Sequence, residues 1–153
     1  MKSDISIREA SIADKAKLHA LLTQVHLSSD DILVSSTRYW LAEDMYKQLM
    51  GTIGLELGQD VILLRSAAVH PTLHSQGIGT YLVQHVLNEA IVAGYRRVYL
   101  FSTDAGAYWQ RLGFREVPVS EHVAALPDAP QVRRYKMLGW LPTEVSWRRD
   151  LVV

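Results

Sequence analysis

A nearly unbroken apolar run, Val61 to Val69, leaves through His70 and Pro71, crosses a short polar loop and meets Gly77 and Gly79 at the head of a helical pattern. No other stretch constrains the fold as strongly. A run of this kind fits a strand covered on both faces, and two glycines at a helix start let main-chain N–H groups approach an anion. The helix dipole places about half a positive charge at that end, and the hydroxyl of Thr80 stands beside it. The same turn also has a purely steric reading, in which the glycines only relieve crowding between strand and helix. Two familiar phosphate loops do not fit. A dinucleotide fingerprint needs a third glycine where Leu82 stands, and a P-loop needs a Gly-Lys-Ser/Thr run that is absent.

Around this turn the pattern alternates between strand and helix periods. Ile5 and Ile7 alternate with polar neighbours, and Ser11 with Asp14 three residues on has the form of a capping box. The spacing of Ile12, Ala16, Leu18, Leu21, Leu22 and Val25 predicts an apolar helix stripe. Tyr39 to Ala42 and Leu49 to Leu57 read as strands joined by a turn at Asp44 to Lys47, and Gly58 to Asp60 turn the second into the run at Val61. The helix opened by Gly77 to Gly79 ends at Gly94. Arg97 to Phe101 reads as a strand, Ser102 to Asp104 as N-cap candidates, Ala105 to Leu112 as a short helix stopped by Gly113, and Phe114 to Val117 as a strand. Beyond Pro118 the pattern offers a helix at Gln131 to Leu138 and a last strand at Val145 to Leu151.

Composition narrows the function classes. The 153 residues suit a single domain. Sixteen Lys and Arg balance sixteen Asp and Glu, so no long-range basic field gathers nucleic acid or an anionic membrane. With no cysteine, disulfides, thiolate metal sites and cysteine nucleophiles are excluded. The charged N-terminal stretch lacks a secretory apolar core and no run approaches the ~20 apolar residues of a membrane span, so the reading is cytoplasmic. His70 and His74 are four apart but separated by Pro71 in a loop, and His19, His26, His85 and His122 form no constellation, so no metal is expected. The pairs Arg96–Arg97, Arg133–Arg134 and Arg148–Arg149 read as solvated or strand-edge groups, and Trp140 and Trp147 as core ahead of a cap over a substrate or a dimer contact.

The segment His74, Ser75, Gln76, Gly77, Ile78, Gly79 resembles the acetyl-CoA signature of the GNAT family of N-acetyltransferases, which reads Arg/Gln, two residues, Gly, one residue, Gly/Ala. The preceding LLRSAAVHP looks like that family's fourth strand, and AYWQRLGF, residues 107–114, like its later helix with a Gly-Phe ending. With IREASIADKAKLHALL the resemblance covers Ile5 to Val117, and GLELGQDVILLRSAAV with LFSTDAGAYWQRLGF looks most like the arsenic-resistance branch. His74 and Ser75 depart from the usual Arg/Gln and Gly.

The resemblance implies an α/β (α+β) GNAT fold over residues 1–153, a mixed, strongly twisted sheet of about seven strands with helices on both faces. It implies acetyl-CoA as cosubstrate, its pantetheine arm bonded by the backbone of Ala67, Ala68 and Val69 in a splay after the fourth strand. The pyrophosphate would rest on residues His74, Ser75, Gln76, Gly77, Ile78, Gly79 and Thr80. It further implies acetyl transfer to an amine of a small molecule or peptide, and it allows a homodimer. The alternative is a non-catalytic acyl-CoA-binding module.

Such a transfer needs a neutral amine and a proton source for the departing thiolate. Glu56 is the base candidate, because strand alternation sets it with Thr52 and Gly54 on a face of small groups; the bland alternative is a solvated strand-end carboxylate. The family's acidic tyrosine falls at Trp109 here, and Tyr108, about 100° away on a helix, is the acid candidate or a packed aromatic. Arg65 breaks the apolar run, and a charge there calls for a partner, either a substrate carboxylate or an internal carboxylate. Whether it shares a face with Glu56 depends on the hairpin register.

Overall fold

The computed structural model describes residues 4–73 and 76–152. Seven strands follow the sheet order β1-β2-β3-β4-β5-β7-β6. The chain divides into two compact units, Met1–Leu55 with Ser66–Glu89, and Glu56–Arg65 with Ala90–Val153.

In the first unit β1 (Ser6–Glu9) pairs antiparallel with β2 (Thr37–Glu43), Ser6 opposite Glu43 and Glu9 opposite Trp40. The capping box forms: Asp14 Oδ2 accepts the Ser11 N–H at 2.8 Å. A short 3-10 turn, Ile12–Asp14, then leads into α1 (Lys15–Gln24). That turn overrides the expected stripe at its first position. Ile12 lies in the tighter turn, out of phase with the helix, and is 70% exposed, whereas Leu18, Leu21 and Leu22 are buried. They form a core with Ile32, Tyr39, Leu41 and Ala68.

Arg8 ties the start of the chain to this core. Its guanidinium bonds both oxygens of Asp14 at 2.8 and 3.0 Å, and those of Glu43 at 2.9 and 3.2 Å. The Arg8 bond holds the Asp14 carboxyl down at about 2, against the opposing effect of burial.

β3 (Leu49–Leu57) and β4 (Val61–Val69) continue through both units, as does α2 (Ile78–Val92). β4 is buried on every residue from Val61 to Arg65, as the apolar run predicts, and then changes character. Ser66 takes a left-handed backbone (φ +58°) within the strand. Such a residue bends a strand and re-aims its neighbours: Ala67 is exposed and Ala68 buried.

In the second unit β4 pairs parallel with β5 (Arg97–Phe101) over Val61–Leu63, β5 pairs antiparallel with β7 (Ser146–Asp150), and β7 with β6 (Arg115–Val117). Between β5 and β6, α3 (Gly106–Arg111) starts at Ala105 with no side-chain cap, so the expected caps at Ser102 to Asp104 are not used; Trp147 Nε1 instead donates to the Ser102 carbonyl at 2.9 Å. Gly113 follows at φ +88° and lets the chain turn into β6. The segment after Pro118 holds a helix that periodicity does not reveal, α4 (Val119–Ala125), seven residues closed in by Pro118 and Pro127. α5 (Pro130–Leu138) begins with its proline in the first turn and ends at Gly139. Val61, Leu63, Tyr99, Val117, Leu126 and Val132 pack as this unit's core.

Candidate active site

Glu56 closes β3 before a three-residue turn whose Gly58 N–H bonds the Val61 carbonyl at 2.8 Å. That turn settles the register: Arg65 Nη1 donates to Glu56 Oε2 at 2.8 Å, so the two side chains share one side. Neither is solvated. Glu56 is 0% and Arg65 7% exposed, which removes the reading of Glu56 as a solvated strand-end group. The partner that Arg65 requires is this internal carboxylate.

A second donor reaches Glu56 from α5. Pro130 has no N–H, so Gln131 supplies the first amide of that helix, 2.9 Å from Oε1 and 3.2 Å from Oε2. A carboxylate at this end is favoured by the helix dipole. The Gln131 side chain carries the chain of bonds on to Tyr135, Nε2 donating to the phenolic oxygen at 3.3 Å, while its buried Oε1 finds no hydrogen-bond partner. Tyr135 packs against Phe101 and Trp140, and burial, then the nearby Glu144 charge, push its phenol up. Trp140, read from sequence as core, is 48% exposed.

Tyr108 stands on α3, half-buried, edge-on to Trp109 at 5.0 Å, with the Arg111 guanidinium 5.9 Å from its ring centre. Trp109 is buried against Phe114. The structure thus brings Glu56 and Arg65 together and sets Tyr108 in an aromatic group.

In the first unit the strand-to-helix turn has the features of an anion cradle. Gly77 has φ +79°, and a Cβ built there would meet no atom of the described residues within 4 Å. The first bond of the helix runs from the Tyr81 N–H to the Gly77 carbonyl at 3.0 Å. The amides of Ile78 and Gly79 therefore precede the intrahelical ladder, as at any helix start. No acidic side chain occurs from Gln76 to Thr80. Main-chain donors, open space and absent carboxylates fit a diphosphate. His74 and Ser75 lie outside the described residues. Upstream, Ala67 is the exposed residue of the last β4 stretch, next to buried Ala68 and half-buried Val69.

Sequence reasoning passed over one polar cluster. His122, on α4, is 0% exposed; its Nδ1 lies 3.0 Å from Ser146 Oγ, and Phe101 and Tyr99 stack on it at 4.0 and 5.1 Å. Burial pushes it down to about 3, so it is neutral. Next to it, Glu121 Oε2 accepts from Tyr99 Oη at 2.8 Å and from Arg148 Nη1 at 2.7 Å. No sequence signal singles out His122, because its helix is itself illegible. Among the described residues no group of three His, Asp or Glu converges as a metal site, and no helix is long and apolar enough to cross a membrane.

The sequence profile of the acetyltransferase (GNAT) domain matches residues 35–116. No curated protein sequence matches the chain. Among solved structures, a GNAT-family acetyltransferase from Staphylococcus aureus Mu50 is similar over 97% of this chain and 99% of its own, with 20% identity and a TM-score of 0.77. N-acetylglutamate synthase from Neisseria gonorrhoeae, complexed with coenzyme A and N-acetyl-glutamate, is 22% identical with a TM-score of 0.79 over 97% of this chain, which spans 35% of that enzyme's length. Rv2747 from Mycobacterium tuberculosis, in complex with CoA, is 19% identical over 96% of this chain and 99% of its own, with a TM-score of 0.72. At these identities the likeness shows the fold, a mixed seven-stranded sheet with helices.

Proposed function

The chain belongs to the acetyltransferase (GNAT) family, and on that premise we propose that it is an acetyl-CoA-dependent N-acetyltransferase acting on an amine of a small molecule or peptide. One observation carries the reading. Gly77 holds a left-handed backbone with no described residue within 4 Å of its side-chain face, at the head of a helix whose first two amides, those of Ile78 and Gly79, precede the intrahelical ladder. Two of the similar structures contain coenzyme A, which supports the same cosubstrate here.

Bound acetyl-CoA supplies the acyl group as an activated thioester. The amides of Gln76 to Thr80 hold its diphosphate, His74 and Ser75 complete the signature segment, and the backbone of Ala67 to Val69 offers strand-like bonds to the pantetheine arm. Glu56 is our candidate base, its carboxylate held in place by the Arg65 guanidinium and the Gln131 N–H. Arg65 orients it, as well as being our candidate for contact with a substrate carboxylate. Tyr108 is the acid candidate, and solvent the alternative, because a thiolate is not strongly basic. We read residues 1–153 as one domain of the family, cytoplasmic, nearest its arsenic-resistance branch.

A second reading, a module that binds acyl-CoA without turnover, is favoured by buried Trp109 at the family's tyrosine position and by the clamped state of Glu56. Free-thiol release with a panel of amino acids, polyamines, aminoglycosides and peptide N-termini separates the two. Turnover with at least one amine, reduced at least tenfold by Glu56→Gln, supports the enzyme. Acetyl-CoA binding with no thiol release across the panel supports the module.

A further inference from the structure

Three of the arginines read from sequence as solvated or strand-edge groups, Arg96, Arg97 and Arg148, converge on one cavity in the second unit. Arg96, Arg97 and Arg148 line it together with Asp150, Leu151 and Val152, around a volume of about 410 Å3, within the range of small-molecule sites. The convergence follows from the strand order. β5 and β7 are antiparallel neighbours, with Arg97 directly opposite Asp150 and Tyr99 opposite Arg148. β6 adds Arg115 directly opposite Arg148. Residues opposite each other on adjacent strands share a face, and like charges so placed repel unless an anion intervenes.

Among the described residues, acidic side chains do not balance this face. Glu121 accepts from Arg148 Nη1 at 2.7 Å, and Asp150 Oδ1 lies 3.2 Å from Arg148 Nε. Both are thus committed to one arginine. Even so, the buried Arg148 Nε has no partner in hydrogen-bond geometry. No carboxylate among the described residues forms an ion pair with Arg96 or Arg97. Among the described residues the three lining guanidinium groups therefore meet two carboxylates, both taken by Arg148, and the fork donors of Arg96 and Arg97 border the cavity.

We propose that this cavity is a second binding site, for a small polyanion carrying carboxylate or phosphate groups. Guanidinium forks match both planar carboxylate and phosphate oxygens. Leu151, buried at the cavity wall, gives an apolar surface for the ligand's carbon skeleton. None of the lining residues belongs to the acetyl-CoA cradle, so the site stands whether or not the chain transfers acetyl groups.

The test is isothermal titration of citrate, and separately of inorganic pyrophosphate, into the full chain at constant ionic strength set with potassium chloride. At least one anion should bind with submillimolar affinity. Arg97→Gln and Arg96→Gln should each weaken it tenfold or more, leaving acetyl-CoA affinity unchanged. Arg96 is exposed, so its variant remains informative if Arg97→Gln loses its fold. Citrate alone assigns a polycarboxylate, pyrophosphate alone a phosphorylated ligand. Absence of binding by both anions, or equal affinity in the Arg96→Gln/Arg97→Gln double variant, would overturn the proposal.

Discussion

Arg65 Nη1 and Glu56 Oε2 lie 2.8 Å apart with both side chains withdrawn from water, at 5% and 0% of their exposed areas. Removing either partner strands the other as a buried charge, a change that costs about 3–5 kcal/mol. We expect Arg65→Met and Glu56→Gln each to lower stability by that order in urea titration. The double variant should be less destabilised than the two single losses added together, by about 1 kcal/mol or more. Strict additivity would show that the pair does not act as a unit. Glu56 also caps α5 through Gln131, so some loss should persist in the double variant.

His122 makes stability depend on mild acid. Its ordinary value is 6.5, and burial takes the folded protein's to about 3. Between those values the unfolded chain binds a proton that the folded chain refuses, so stability falls as pH drops, by up to about 1.4 kcal/mol per pH unit. The slope should begin below pH 6.5. Asp14 adds loss in the same direction, but only below about pH 4, as its carboxyl protonates and releases Arg8. Chemical denaturation of His122→Phe between pH 4.5 and 6.5 should give a nearly flat profile; a slope equal to that of the parent chain would remove His122 from the account.

Gly54 is required by the ring that covers it. A Cβ at this position would overlap the Tyr39 ring, with Cζ only 2.5 Å away, and Tyr39 is fully buried. Gly54→Ala should lower stability by about 1–3 kcal/mol, the usual range for overpacking. Tyr39→Leu should recover part of that loss when combined with it. An unaltered melting temperature in Gly54→Ala would show that the ring is not held there.

What could be read in advance was local. β3, β4 and β5 match their expected ranges because turn residues bound each one, Gly58 to Asp60 and Gly94 among them. The Ser11–Asp14 box likewise depends on residues three apart. What stayed hidden depends on distant partners. Arg65 and Glu56 were each singled out, yet only the turn's register could join them. The left-handed Ser66, which ends the continuous burial of β4, carries no signature in an apolar run. α4 is too short for a helical period to register between its prolines, and with it went His122, Glu121 and the bonds to Ser146 and Arg148. The arginine cavity needed the β5-β7-β6 order, which no pairwise spacing along the chain encodes.

We propose that the opening amides of α2 grip the diphosphate of acetyl-CoA, with Gly77 leaving them room. Gly77→Trp puts an indole into that space, at a left-handed backbone that itself costs about 1–2 kcal/mol. Isothermal titration of acetyl-CoA should give an affinity in the micromolar range typical of enzyme substrates for the parent chain, ~1–100 μM. For a Gly77→Trp variant whose circular dichroism is unchanged, the account predicts a loss of a hundredfold or more. Equal affinity in the two proteins would contradict it.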